Sequence, residues 1–406
     1  MSTLEQKTIK LALQTVTPVS VGGDKGEQLS PYSDYITSAD GSLLYYLDLP
    51  KLERAVLEAR ALDEYIKAIR TTINNNRSEF DLEAFIDGAL KRDVQDFIAR
   101  RVPQRGIRPG QRVSIVPIVK NAGSPYLPGS SLKGALRTAA LYQWLTHTED
   151  GHLHLQTAAD ALGHLRRLRE QWLDLKKNRG DFKAIRTVEA EIKKHDRALF
   201  DERDLFGGLH AAEARFLVVR DTQPLAHDVL EVQALRRIRL APGKGKSVIP
   251  QVMEAIPAGT SLHTDLAIWP AFRKKALAYW NTGDFAGIFQ HLQTFSLACI
   301  ENEIGDLTHA LEEPAKNDFA PDLKRLLDFY QNLKARAEAG EIFLRLGFGK
   351  TVHDNSLMLA LLNGLERKTA WHDMRAVFHK IRRESAFYPV TRLVTADGLP
   401  MGWVAV

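Results

Sequence analysis

The chain has 406 residues, 44% apolar and 26% charged, which is enough for a real core and room for two domains, and it reads as a globular protein. Its one cysteine, Cys299, excludes intrachain disulfides and any Cys-x-x-Cys zinc or redox site, and its longest apolar runs, such as Leu357 to Leu362, fall far short of the roughly 18 residues a membrane-spanning helix needs. A net charge of +5 leans toward a polyanionic partner, although charge alone does not distinguish such a partner from simple solubility.

The N-terminus lacks a basic-then-apolar signal pattern and the lone thiol sits in an apolar stretch, so a cytoplasmic location and a core cysteine are expected. Residues Thr8 to Val21 alternate apolar and polar and predict an opening strand ended by Gly22-Gly23. Leu43 to Leu49 predicts a second strand, closed by Pro50. From Lys51 to about Arg100 the spacing of Leu52, Val56, Leu57, Ile66 and Ile69 predicts a helical insertion, broken at Asn74-Asn75-Asn76.

Val113 to Val119 predicts a short strand. It leads through the Pro/Gly-rich loop of residues 121 to 129 into a helix over Ser131 to Leu145. Residues His164 to Arg203 are charge-dense, with a stripe of Leu165, Leu168, Trp172 and Leu175, and predict a surface helical hairpin turned near residues 178 to 180. Strands follow at Arg215 to Asp221, Ala234 to Ala241 and Ser261 to Ile268. The chain then turns helical over Pro270 to Ala339, returns as the strand Glu341 to Leu346, makes a glycine turn and adds a helix from Ser356. Strands separated by long helical excursions predict an α+β fold of two modules, residues 1–225 and 226–406, each with helical insertions.

Three clusters carry binding chemistry. In Pro125-Tyr-Leu-Pro-Gly-Ser-Ser-Leu-Lys-Gly-Ala-Leu-Arg137, Ser130 or Ser131 is a natural N-cap, and the free N–H groups of a helix entrance favour an anion. Lys133 in that first turn opposes the helix dipole by roughly 0.3–1 kcal/mol, and Arg137 repeats the charge one turn on. A solvated face would tolerate both. Gly134 between them lowers helix stability by roughly 0.5–1 kcal/mol against alanine, which points to something approaching closely, such as a sugar–phosphate backbone.

The turn Gly347-Phe348-Gly349-Lys350 could offer N–H groups, an aromatic face and an ammonium to RNA, or be a plain β-turn with a buried Phe348. It is not a P-loop, since that spacing needs glycine where Leu344 stands. The run from Arg236 to Lys246 carries five cations, Arg236, Arg237, Arg239, Lys244 and Lys246, and no acid, as phosphate-binding hairpins and merely soluble ones both do. Catalytic and metal signals are absent from the sequence. The pairs His195-Asp196, His227-Asp228, His353-Asp354 and His372-Asp373 and the alternating His152 and His154 fit no metal-ligand spacing, there is no G-x-S-x-G elbow, and no cofactor is expected.

Taken together the segments resemble the RAMP superfamily of CRISPR-associated proteins, whose ferredoxin-like (RRM-like) modules carry a glycine-rich loop. The resemblance rests on residues 13 to 22 with Pro31-Tyr-Ser-Asp-Tyr-Ile36, on Tyr126 to Arg137, on Asp204-Leu-Phe-Gly207 and on Glu254 to Thr260. It continues in Leu346-Gly-Phe-Gly-Lys350 and in Pro389 with Gly402-Trp403. Among the subgroups, the length, the Thr-Pro-Val opening and the late glycine turn most resemble the fifth Csm subunit of type III-A complexes.

The resemblance implies a non-catalytic crRNA-binding subunit that caps the complex at the crRNA 3′-end side and helps crRNA maturation. Its partners would be crRNA, target RNA, the backbone RAMP subunit, the small subunit and a host nuclease for maturation. Ser130, Ser131, Lys133 and Arg137 would hold phosphates, and Gly347, Gly349 and Lys350 would line the RNA groove. The rival expectations are the subunit that grips the crRNA 5′ handle and a RAMP endoribonuclease using an aspartate such as Asp24 or Asp34. The charged segment 164–203 has no counterpart in the resemblance.

Overall fold

The opening strand forms as its alternation requires: in β1 (Lys7–Thr15) Leu11, Leu13 and Thr15 are buried, and the residues between them face solvent. The computed structural model describes residues 7–23, 26–74, 80–108, 111–178, 181–199, 216–243, 251–269, 284–356, 358–364, 387 and 389–406. No helix among them is long and apolar enough to cross a membrane.

After β2 (Tyr35–Thr37) and β3 (Leu43–Leu47) come α1 (Leu49–Glu58), α2 (Leu62–Asn74) and α3 (Leu82–Gly88). Pro50, expected to close a strand, instead opens α1: it occupies the first turn behind the N-cap Asp48, whose side chain accepts from the Lys51 N–H. The three helices enclose a small core of their own, in which Tyr32, Tyr65, Phe80 and Phe85 meet ring against ring.

The helical insertion ends before Arg100, because Ile98–Arg105 is strand β4. Only Val102 and Gln104 are buried along it, and the half-buried Arg100 and the exposed Arg101 cover the tyrosines of β3, with Arg100 4.1 Å above the Tyr46 ring and Arg101 5.6 Å from that of Tyr45. Charge thus stands where alternation would normally advertise a strand.

The chain continues through β5 (Ile115–Val116), the tight hairpin β6 (Lys120–Asn121) and β7 (Ser124–Pro125), and α4 (Gly129–His147). The helical hairpin expected near 164–203 is present as α5 (Glu149–Lys177) and α6 (Phe182–Leu199). Then follow β8 (Leu217–Val219), β9 (Glu231–Arg239), β10 (Gln251–Ala255) and β11 (Ser261–Ile268), then α7 (Phe285–Ala310) and α8 (Ala320–Glu338). The chain closes with β12 (Phe343–Arg345), α9 (Met358–Gly364), β13 (Thr391–Val394) and β14 (Trp403–Ala405). The Asp204-Leu-Phe-Gly207 motif, His372-Asp373 and residues 270–283 lie outside the described residues.

The architecture is α+β, with two large sheets among the described residues beside the two-stranded β6-β7 hairpin. One runs β12-β14-β1-β11-β8 and the other β2-β3-β4-β9-β10-β5, with β13 also on β9. Both sheets take strands from each side of residue 225. In the first, β1 lies antiparallel to β11 from Lys7↔Ile268 to Gln14↔Ser261 and meets the last strand at Thr15↔Val404, so the first and last strands are neighbours.

The main core lies between that sheet and the helices α4, α5, α7 and α8. Cys299 is buried in it, and burial pushes its thiol well up, as befits a core residue and not a nucleophile. Two buried ion pairs lock strands to turns and helices. Arg392 on β13 donates to Glu303 and Asp306 of α7, at 2.7 and 2.8 Å, and Arg345 on β12 reaches Asp354 at 2.9 Å.

Candidate nucleic-acid interface

The entrance of α4 is built by close packing against β8. Leu127 donates its N–H to the Thr222 hydroxyl at 2.9 Å, and Gly129 donates to the Asp221 carboxylate at 2.7 Å. A Cβ on Gly129 would lie 2.3 Å from the Val219 carbonyl oxygen, so only glycine fits. Neither Ser130 nor Ser131 is the N-cap. Pro128 holds that position without a side-chain bond, because the helix begins two residues earlier than expected and Asp221 supplies the capping oxygen from the segment that follows β8. The Ser131 N–H is taken by the Pro128 carbonyl at 2.9 Å. This entrance therefore carries its own anion.

The cations are arranged differently. Lys133 is half-buried, and burial first, then the neighbouring Arg137, push its ammonium below the usual lysine range. Among the described residues no carboxylate pairs with Lys133. Gly134 is exposed, and among the described residues a Cβ there would meet nothing within 4 Å. Packing within the chain thus requires glycine at 129 and not at 134. If a ligand approaches closely at Gly134, two results are expected. Gly134→Ala should stabilise the protein by about 0.5–1 kcal/mol. Gly134→Leu should leave melting unchanged within a few degrees yet weaken RNA binding, as judged by filter binding beside thermal denaturation. Equal RNA affinity for the leucine variant would remove the reason for a close approach.

The glycine turn is required by packing. Gly347 has φ +65°, and a Cβ there would stand 2.0 Å from the Ser20 carbonyl oxygen; Gly349 has φ +91° and abuts Met401. The Phe348 N–H, which the sequence offered as an RNA donor, instead donates to the Ser20 carbonyl at 2.7 Å. The turn is clamped by Arg345, whose guanidinium donates to the Met401 carbonyl, the Gly349 carbonyl and Asp354 at 3.0, 2.8 and 2.9 Å. Asp354 also accepts the Thr351 N–H at 2.5 Å, closing a capping box. Asp354 thus has a structural role, and the Thr351-x-x-Asp354 spacing is its visible signal. Burial lowers the pKa of the half-buried Lys350, an effect Asp354 opposes and Arg345 reinforces.

Side chains alternate along β9, so Leu235, Arg237 and Arg239 share one face. Phe348 of the glycine turn joins Leu235, Met253, Ala255 and Met401 in a cluster on that face, and Leu393 lies opposite Arg237 across the β9–β13 pair. Two clusters far apart in sequence therefore meet on one sheet face. Phe348 is neither fully buried nor free, being half-covered by this cluster.

Arg237 and Arg239 are exposed, and among the described residues neither has a carboxylate partner. Arg236 points the other way and is held by Asp322 of α8 through two bonds of 3.0 and 2.8 Å. A bidentate internal partner leaves the Arg236 guanidinium less for a phosphate, which weighs against its expected place among the RNA contacts. Lys244 and Lys246 lie outside the described residues.

The α+β fold, with a glycine turn locked onto a basic sheet face, is that of a RAMP protein. The family model described as the RAMP superfamily matches residues 12–352, and the chain belongs to this family. Within it the chain is similar to proteins named Csm5. A relative from Methanocaldococcus jannaschii, the CRISPR system Cms protein Csm5, is 23% identical over 137 residues, which are 34% of this chain and 31% of that protein, so the match spans about a third of the relative's length.

Two solved structures share the fold. A chain of the cryo-EM structure of a Csm–crRNA–target RNA ternary complex from a type III-A CRISPR–Cas system superposes with a TM-score of 0.68 at 23% identity, over 97% of this chain and 98% of that one. The crystal structure of T. onnurineus Csm5 gives a TM-score of 0.62 at 18% identity, over 97% of this chain and 100% of the other.

Proposed function

We propose that this chain is a non-catalytic crRNA-gripping subunit of a type III-A (Csm) interference complex, capping the crRNA 3′-end side beside the backbone RAMP subunit and the small subunit and supporting crRNA maturation by a host nuclease. The observation that carries the reading is the convergence of the glycine turn with Arg237 and Arg239 on one sheet face, through Phe348 on Leu235. The contacts are assigned to Lys133, Arg137, Arg237, Arg239 and Lys350, with Ser130 and Ser131 flanking the α4 track and Gly347 and Gly349 shaping the turn. The two superposed subunit structures support the fold this reading needs.

The endoribonuclease alternative needs an activated carboxylate. Asp34 accepts the Ser30 N–H at 2.5 Å in a turn, and Asp24 lies outside the described residues. On the non-catalytic reading the purified chain should leave RNA intact with or without Mg²⁺, and cleavage lost in Asp34→Ala would overturn it.

Single-stranded RNA should bind with little sequence preference, because these cations meet phosphates and not base edges. With five cations on the track, log affinity against log salt should slope at about −3.5. A slope near zero would remove the phosphate track. In the reconstituted complex, crRNA labelled at either end should crosslink to this subunit from its 3′ side, and crosslinks at the 5′ handle would overturn the placement.

A further inference from the structure

The charged segment that the family resemblance leaves without a role folds as the antiparallel hairpin α5–α6, and it brings together three groups that the sequence keeps apart. His164 projects from α5, while Glu191 and His195 stand one turn apart on α6, the i,i+4 spacing that places two side chains on one helix face. Their ligand-capable atoms, two imidazole nitrogens and one carboxylate oxygen, all lie within 4.8 Å of one another. The two imidazoles are half-buried and meet edge to face, 4.6 Å between centroids at 73°.

The register of the hairpin that sets this meeting is fixed independently of the cluster. Trp172 of α5 donates its indole N–H to Glu189 of α6 at 2.9 Å, and Leu168 and Val188 are buried.

Two histidine nitrogens with one carboxylate oxygen are a donor set suited to zinc, a borderline ion that accepts nitrogen and oxygen ligands in a tetrahedral site. Magnesium and calcium prefer all-oxygen shells. Three protein ligands leave one coordination position for water or for a group from outside the chain. The sequence shows no such motif because its usual signature is a short spacing within one element, whereas here one ligand crosses from the neighbouring helix.

We propose that His164, Glu191 and His195 bind one zinc ion that ties α6 to α5. The site is separate from the RNA-facing residues, so it stands or falls independently of the RNA-binding assignment. Bound zinc would add a direct link between two helices that also meet through buried apolar side chains, the Trp172–Glu189 bond and the Lys176–Glu189 ion pair at 3.9 Å. It should therefore stiffen the hairpin.

The test uses the full chain without a histidine tag, stripped of metal and titrated with Zn²⁺ in competition with a chromophoric chelator. One zinc per chain is expected, undisturbed by millimolar Mg²⁺. His164→Ala and His195→Ala should each weaken binding by more than the roughly 10–100-fold lost when only a partner of a metal ligand is removed, with unchanged circular dichroism. Co²⁺ in place of zinc should give the intense visible absorption of a four-coordinate ion in the wild type and lose it in both variants. If the chain takes up no stoichiometric zinc, or if the double variant His164→Ala/His195→Ala binds zinc as the wild type does, the site does not exist.

Discussion

Replacing Lys133 and Arg137 together by alanine should lower affinity for single-stranded RNA by about ten- to several-hundred-fold, since each charge-assisted contact contributes roughly 1.5–3 kcal/mol at most. The salt slope should flatten by about 1.4 at the same time. Folding should not suffer. Lys133 is disfavoured as a cation in the folded chain by its burial and by Arg137, and it lies in the first turn of α4, against the dipole. The melting temperature should hold or rise, and Gly134 beside it leaves the face open to a ligand. A double variant that melts several degrees lower and binds RNA normally would make these cations supports of the fold and would remove the α4 track from the interface.

Asp354→Ala should, by contrast, cost the fold stability. It leaves the Arg345 guanidinium, whose side chain is 4% exposed, buried without its carboxylate, and breaking such a pair from one side costs about 3–5 kcal/mol. Two carbonyl acceptors, of Met401 and Gly349, stay in place, so the lower end of that range is expected, read as an earlier midpoint in urea unfolding. Removing both charges, in Arg345→Met with Asp354→Leu, should cost less than the two single changes added together. RNA affinity should fall through loss of the Gly347–Lys350 turn geometry, since Arg345 and Asp354 hold that turn from beneath. Wild-type stability in Asp354→Ala would mean that Ser20 and Met401 alone hold the turn.

The two variants separate what the RNA-facing residues do from what the fold does, and the same separation runs through the chain. The α5–α6 hairpin, the helix α4, the strand β11 and the core placement of Cys299 were legible because each depends on local periodicity or on the polarity of a short window. The arginines of β4 obscured that strand because stacking on β3 tyrosines rewards charge where alternation would show apolar residues. The glycines were legible as turns and breaks, but not for their reasons.

Composition, periodicity and motif spacing by themselves determined that this is an α+β protein with helical insertions, a basic loop-to-helix entrance and a glycine turn late in the chain. Tertiary structure alone decided the partners. It gave Arg236 to Asp322 and left Arg237 and Arg239 exposed, gave Arg345 to Asp354, and set β14 beside β1 from the far end of the sequence. It also distinguished Gly129 and Gly347, which backbone carbonyls forbid any side chain, from Gly134, where among the described residues a Cβ would meet nothing within 4 Å. The physical reason is one of range. A helix or strand is specified by neighbours within a turn or two, whereas the pairing of a charge, the closeness of two backbones and the meeting of three ligand groups depend on residues tens to hundreds of positions away.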